Sequence, residues 1–148
     1  MTKPIGGYKH ILLATDLSEH ATEIAKRAHD IAKLMHAKLS LAHVLAYTPI
    51  AYAGEFSIPL DAEFEIRLEK EAKSHLAKLG KKYDVEKEHQ YLIKGSVKLA
   101  VTDLAESIKA DLIVVGTHSH EGIDKLLGSQ ANAILHAAKC DVWVIRTN

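Results

Sequence analysis

The feature that most constrains this chain is the alternation of short apolar runs with stripes at helical spacing. Residues 10–15 (HILLAT) form an apolar run that stops at Asp16. Behind it Ala21, Ile24, Ala25, Ala28, Ile31, Ala32 and Met35 recur at threes and fours, which is one face of an amphipathic helix. Ser18 is placed to cap that helix, since its hydroxyl can accept from a first-turn amide. Residues 38–45 (KLSLAHVL) follow at once as a second run. Strand, helix and strand in this compass make a βαβ unit, a parallel pair joined right-handedly.

The same alternation runs to the end of the chain. Residues 46–59 contain Pro49, Gly54 and Pro59, show no clean period, and read as a long loop of the kind that is often functional. Phe64, Leu68, Ala72, Leu76, Leu79 and Tyr83 predict a second helix with this stripe facing inward. Residues 85–93 (VEKEHQYLI) alternate partly and carry charge, as suits an edge strand with one wet face. A third helix is expected over 96–110, with Val97, Ala100, Val101, Leu104 and Ile108 inward. The run 112–115 (LIVV) is the purest buried strand and stops at Gly116. Ser129 opens a short helix through Ala138, and 142–145 (VWVI) makes the last strand. Five strands alternating with four helices predict one α/β domain over residues 1–148, a doubly wound, Rossmann-like parallel sheet of order 3-2-1-4-5 with helices on both faces.

Composition narrows the function. With 148 residues, 47% of them apolar, the chain is ordinary for a folded domain rather than a disordered one. Its 19 basic and 19 acidic residues cancel, which removes the electrostatic footprint of a general nucleic-acid binder. No apolar run approaches the roughly 20 residues that cross a bilayer, so no membrane partner is expected. The first residues do not read as a signal peptide, and the single cysteine, Cys140, excludes an intramolecular disulfide framework. Cytoplasm is the expected address.

In a doubly wound sheet the ligand crevice lies beyond the carboxyl ends of the strands, where strand order reverses. Two strands end unusually: the first at Thr15-Asp16, the fourth at Gly116-Thr117-His118-Ser119. Neighbours in mid-sheet, they would face one crevice. A glycine after a buried strand lets a ligand approach the backbone, and Gly128-Ser129 at a helix start offers free amides to phosphate. Common nucleotide motifs are nevertheless missing: no GxGxxG follows the first strand, and no GxxxxGK[ST] occurs. No GxSxG elbow is present, and strand three ends Ile93-Lys94-Gly95 without the aspartate a phospho-receiver requires. No nucleophile–base pair stands out, so a true enzyme is the weakest option. Ten histidines, His118, His120 and His136 among them, show no HExxH or paired Cys/His spacing, and no metal site is expected. His43 shares a strand face with Leu39, Leu41 and Leu45 and reads as a satisfied core histidine. Lys125 reads equally as a neutraliser of phosphate charge or a solvated lysine.

HILLATDLSE, LAHV on strand two, Gly95 after strand three, and VVGTHS…LLGS followed by AKCDVWVIR, in this order, resemble the universal stress protein family in its small single-domain form. The resemblance implies a role in stress resistance and a homodimer formed through Val142, Trp143, Val144 and Ile145. In nucleotide-binding members it implies ATP, or ADP or AMP, with Mg2+ in the crevice. The matching positions are Ala14, Thr15, Asp16, Val44, Val115, Gly116, Ser119, Gly128, Ser129 and Gln130. Of these, Asp16 would lie near ribose and phosphates, the Val44 backbone would meet adenine, and Gly128 and Ser129 would hold phosphate oxygens. The family's nucleotide-binding pattern is glycine, two residues, glycine, nine residues, glycine, then Ser or Thr. Here Ser119 takes the second glycine position and eight residues separate it from Gly128. The alternative is therefore a ligand-independent homodimeric adaptor without ATP.

Overall fold

The computed structural model describes residues 7–46, 62–117 and 129–147. Within them lies one five-stranded sheet, β1 (His10–Ala14), β2 (Lys38–Ala46), β3 (Gln90–Gly95), β4 (Leu112–Gly116) and β5 (Asp141–Ile145). The order is β3-β2-β1-β4-β5 with every neighbouring pair parallel, as the alternation predicts. The helices are α1 (Ala21–Met35), α2 (Ala62–Lys82), α3 (Val97–Ser107) and α4 (Ser129–Ala137).

Strand periodicity divides the core in two. Ile11 and Leu13 of β1 and Leu112 and Val114 of β4 turn toward α1 and α2, packing with Ile24, Ala28, Leu76 and Leu79. Leu12, Ile113 and Val115 turn the other way, against Val101 and Ala105 of α3 and Ala131 and Ile134 of α4. Burial on both faces is why β1 and β4 read as continuous apolar runs rather than alternating ones. Each fully buried leucine or isoleucine here is worth about 1.5–3 kcal/mol of transfer free energy.

Four boundaries differ from the sequence reading. The edge strand does not begin at Val85. A 3-10 turn over Lys87–His89 intervenes and β3 starts at Gln90, while Val85 is buried against α1 and α2. The α1 cap is His20, which makes no side-chain cap bond. Ser18 sits two residues earlier, its hydroxyl accepting from the His20 amide at 3.3 Å. The third helix is shorter than 96–110 and is capped by Ser96, whose hydroxyl accepts from the Leu99 amide at 3.5 Å. Finally, the inward stripe of α2 is buried from Ala72 onward, but Phe64 and Leu68 are 47% and 42% exposed. The first turns of α2 lack the cover that its later turns receive. Most of the loop expected at 46–59 falls outside the described residues, Ala46 being the last residue of β2.

Candidate functional site

The sheet reverses order between β1 and β4, so the carboxyl ends of β1, β2 and β4 share one end of the molecule. Ala14, Val44 and Val115, each at or near such an end, all pack into the core layer beneath α3 and α4. Ala131, two residues into α4 from Ser129, belongs to the same layer. The start of α4 thus lies in the layer these residues share, packed chiefly beside α3, and its first amides lack partners within the helix. Gln130 is exposed there. Ser119, Gly128, His118, His120 and Lys125 lie outside the described residues.

Thr15 and Asp16 are held by local bonds. The buried Thr15 donates its amide to the Ala42 carbonyl at 2.8 Å, and its hydroxyl accepts from the Leu17 amide at 3.1 Å. Its carbonyl accepts from Nδ1 of His43 at 2.8 Å. A carbonyl can only accept, so the His43 proton in this pairing sits on Nδ1. His43 is therefore a satisfied, half-buried histidine that braces the end of β1 from β2, as its strand position suggests. Asp16 is exposed, and its Oδ1 accepts from the Ser18 amide at 2.9 Å, an Asx turn that carries Leu17 through φ 55°. The carboxylate shapes the turn that feeds α1 while facing solvent at the crevice end.

Gly116 has a neighbour that sequence reasoning missed. A Cβ at this position would overlap Cδ1 of Ile24, a buried residue of α1. A larger residue here would have to displace the end of the Ile24 side chain, so packing against α1 favours glycine quite apart from any ligand. Beyond it, the Thr117 amide donates to the Ile145 carbonyl at 2.9 Å and the Thr117 hydroxyl accepts from the Thr147 amide at 3.2 Å. The β4 exit is thereby stitched to β5.

The opposite, amino end of the sheet carries an open groove of about 620 Å3, lined among others by His29, His36, Tyr83, Glu86 and His89. Donor atoms of Glu86, Glu88 and His89 lie within 4.8 Å of one another, the one such trio of metal-type ligands among the described residues. Both carboxyl groups are exposed, and the hydrogen bond that a protonated Glu86 donates to Glu88, with the Glu88 charge, holds the Glu86 carboxyl above its usual value. None of the three was singled out from sequence, because their spacing matches no ligand motif.

At the sheet's edge, β5 presents Trp143, 37% exposed, with its ring edge-on to Tyr8 at 5.9 Å. Tyr8 donates its hydroxyl to Asp141 at 2.6 Å, and that bond to the carboxylate, reinforced by burial, raises the phenol pKa above its ordinary value. Val142 and Val144 point to the other face, against α3 and α4.

A parallel α/β sheet whose order reverses between β1 and β4 defines the doubly wound, Rossmann-like class of fold. The chain belongs to the universal stress protein family, whose model matches residues 7–146. It is 49% identical over 138 residues to universal stress protein A homolog 1 of Coxiella burnetii, covering 93% of this chain and 96% of the relative. Among solved structures, UspA from Lactobacillus plantarum shares the fold with a TM-score of 0.79 at 24% identity, over 95% of this chain and 99% of that one. A universal stress protein in complex with cAMP matches with a TM-score of 0.69 at 25% identity, over 96% and 99% of the two chains. No described helix is long and apolar enough to cross a membrane.

Proposed function

We propose that this protein is a cytoplasmic homodimer that binds an adenine nucleotide between the carboxyl ends of β1 and β4 and acts in stress resistance. The observation that carries the reading is the convergence of Ala14, Val44 and Val115 with the start of α4 at one end of the sheet. Small apolar side chains suit the flat face of a base, and a helix start suits phosphate. A family member of the same fold that holds cAMP supports the ligand class. Asp16 contributes a carboxylate beside the crevice, suited to a ribose hydroxyl or to Mg2+. The single cysteine suits a reducing compartment.

The dimer would form through β5. An edge strand leaves backbone donors and acceptors unpaired along one side, and this one also exposes an indole. Val144→Lys is expected to shift the mass measured by light scattering at micromolar concentration from dimer to monomer. A wild-type monomer under those conditions would sink this part of the reading.

One observation favours the ligand-independent adaptor instead. Packing against Ile24 favours a glycine at 116 without any nucleotide. Calorimetric titration with ATP, ADP, AMP and cAMP, with and without Mg2+, separates the two. Saturable heat with at least one nucleotide supports the crevice reading. Absence of heat and of any thermal shift at millimolar concentration leaves the adaptor.

A further inference from the structure

The first residue of β1 holds a polar chain that the nucleotide crevice does not use. The His10 ring is part-buried, with Nδ1 at 3.0 Å from the Ile108 carbonyl, just past the end of α3. Its Nε2 lies 2.7 Å from the hydroxyl of Ser40 on β2, a residue with no exposed surface. The carbonyl can only accept, so the ring hydrogen sits on Nδ1. In the neutral ring Nε2 is then a bare acceptor, and Ser40 donates to it. Among the described residues this is the bond that occupies the Ser40 hydroxyl.

Protonation reverses one link of that chain. Nε2 becomes a donor, Ser40 must accept, and its own hydrogen has to turn away inside a buried site. A buried donor left without an acceptor is costly. The surroundings add to this. Burial disfavours the charged ring most, Lys38 on β2 and His89 in the 3-10 turn repel it, and Asp111 opposes them. The Asp111 carboxylate is itself engaged, accepting from the amides of Lys9 and His10 at 2.9 and 3.0 Å. The Ile108 carbonyl accepts from Nδ1 in both forms and, after burial the strongest influence, favours the charged ring, but it does not outweigh burial and the two cations' repulsion.

We propose that His10, Ser40 and the Ile108 carbonyl form a pH-sensitive latch. While the imidazole is neutral it pins the start of β1 to β2 and to the end of α3, and protonation loosens that end of the sheet. The sign follows from linkage. An unfolded histidine titrates near pH 6.5, and the folded His10 titrates lower. Between those two values the unfolded chain binds more protons, so this contribution to stability is full above about pH 6.5 and is lost as pH falls below it.

The test uses the full chain and two readouts. In proton NMR the His10 Cε1–H resonance is expected to titrate below the ordinary value of about 6.5. In Ser40→Ala its midpoint moves upward, because the neutral ring has lost the hydroxyl that favoured it. In urea unfolding from pH 8 to 5, His10→Gln is expected to flatten the fall in midpoint seen for the wild type. His89→Gln removes a neighbouring imidazole but leaves both latch bonds, and keeps most of the fall. A His10 midpoint at or above 6.5, one that Ser40→Ala does not raise, or an unchanged slope in a folded His10→Gln would each overturn the latch. Should His10→Gln fail to fold, the comparison of wild type with Ser40→Ala decides alone.

Discussion

The two ends of β1 solve the same problem in opposite ways. At the amino end, His10, Ser40, Ile108 and Asp111 satisfy one another around a buried hydroxyl. At the carboxyl end, the bonds of Thr15 and Asp16 run to the backbone of the next few residues, to the Ala42 carbonyl and to the His43 ring on β2, and the Asp16 carboxylate faces water. One end uses up its polar groups in closing the sheet. The other uses some of them to shape a turn and leaves a carboxylate and a helix start available. A parallel sheet with helices returning on both faces places all its helix amino termini at one end, so only that end gathers free amides.

This contrast can be broken most severely at Gly116, which lies at the crevice end of β4 and packs against Ile24. Gly116→Val should destabilise the fold by about 1–3 kcal/mol through overlap with Ile24, measured by urea unfolding, and should abolish nucleotide binding as well. Ser40→Ala should lower stability by about 1–3 kcal/mol, because Nε2 of His10 loses its donor in a buried site. Nucleotide affinity should not change in that variant. The converse holds for Ser129→Ala, which should cost about 1 kcal/mol of binding measured by calorimetry and leave the unfolding midpoint alone. The smallest effect is expected at His36, which ends α1 in the left-handed region at φ 54°. His36→Gly should raise stability by a few tenths of a kcal/mol in thermal unfolding, the relief of strain being partly offset by the glycine's greater unfolded entropy.

Legibility in the sequence follows the same physics. β1 and β4 were readable because burial on both faces forces uninterrupted apolar runs, and β5 because a short run near the chain end stands out. The start of β3 was not, since Val85 is buried for its own reasons and the alternation carries on through a turn that is not a strand. In α2 the periodicity identifies the inward face correctly but says nothing about how far the neighbouring layer extends, which is why Phe64 and Leu68 emerge exposed. Helix caps depend on one or two residues of backbone geometry, so residue type, which favours Ser18, misplaces the cap that falls at His20. For the proposed crevice, the end of strand one points to Asp16 and family resemblance to Val44 and Val115. The Ile24 contact of Gly116 was not legible, because it joins residues far apart in the chain. His10 and Ser40 gave no signal either, since a histidine and a serine on adjacent strands make no motif until the register pairs His10 with Lys38 and leaves Ser40 within reach of the ring.

The proposed crevice puts ligand binding at the carboxyl end of the sheet and not at the amino end. Amide chemical-shift mapping on titration with ATP, AMP and cAMP tests it most directly. Perturbations should gather at Asp16, Val44, Gly116 and Gln130 and leave His10, Ser40, Glu86 and His89 unmoved. Shifts centred on the groove around His36, Glu86 and His89, or none anywhere at millimolar nucleotide, would contradict it.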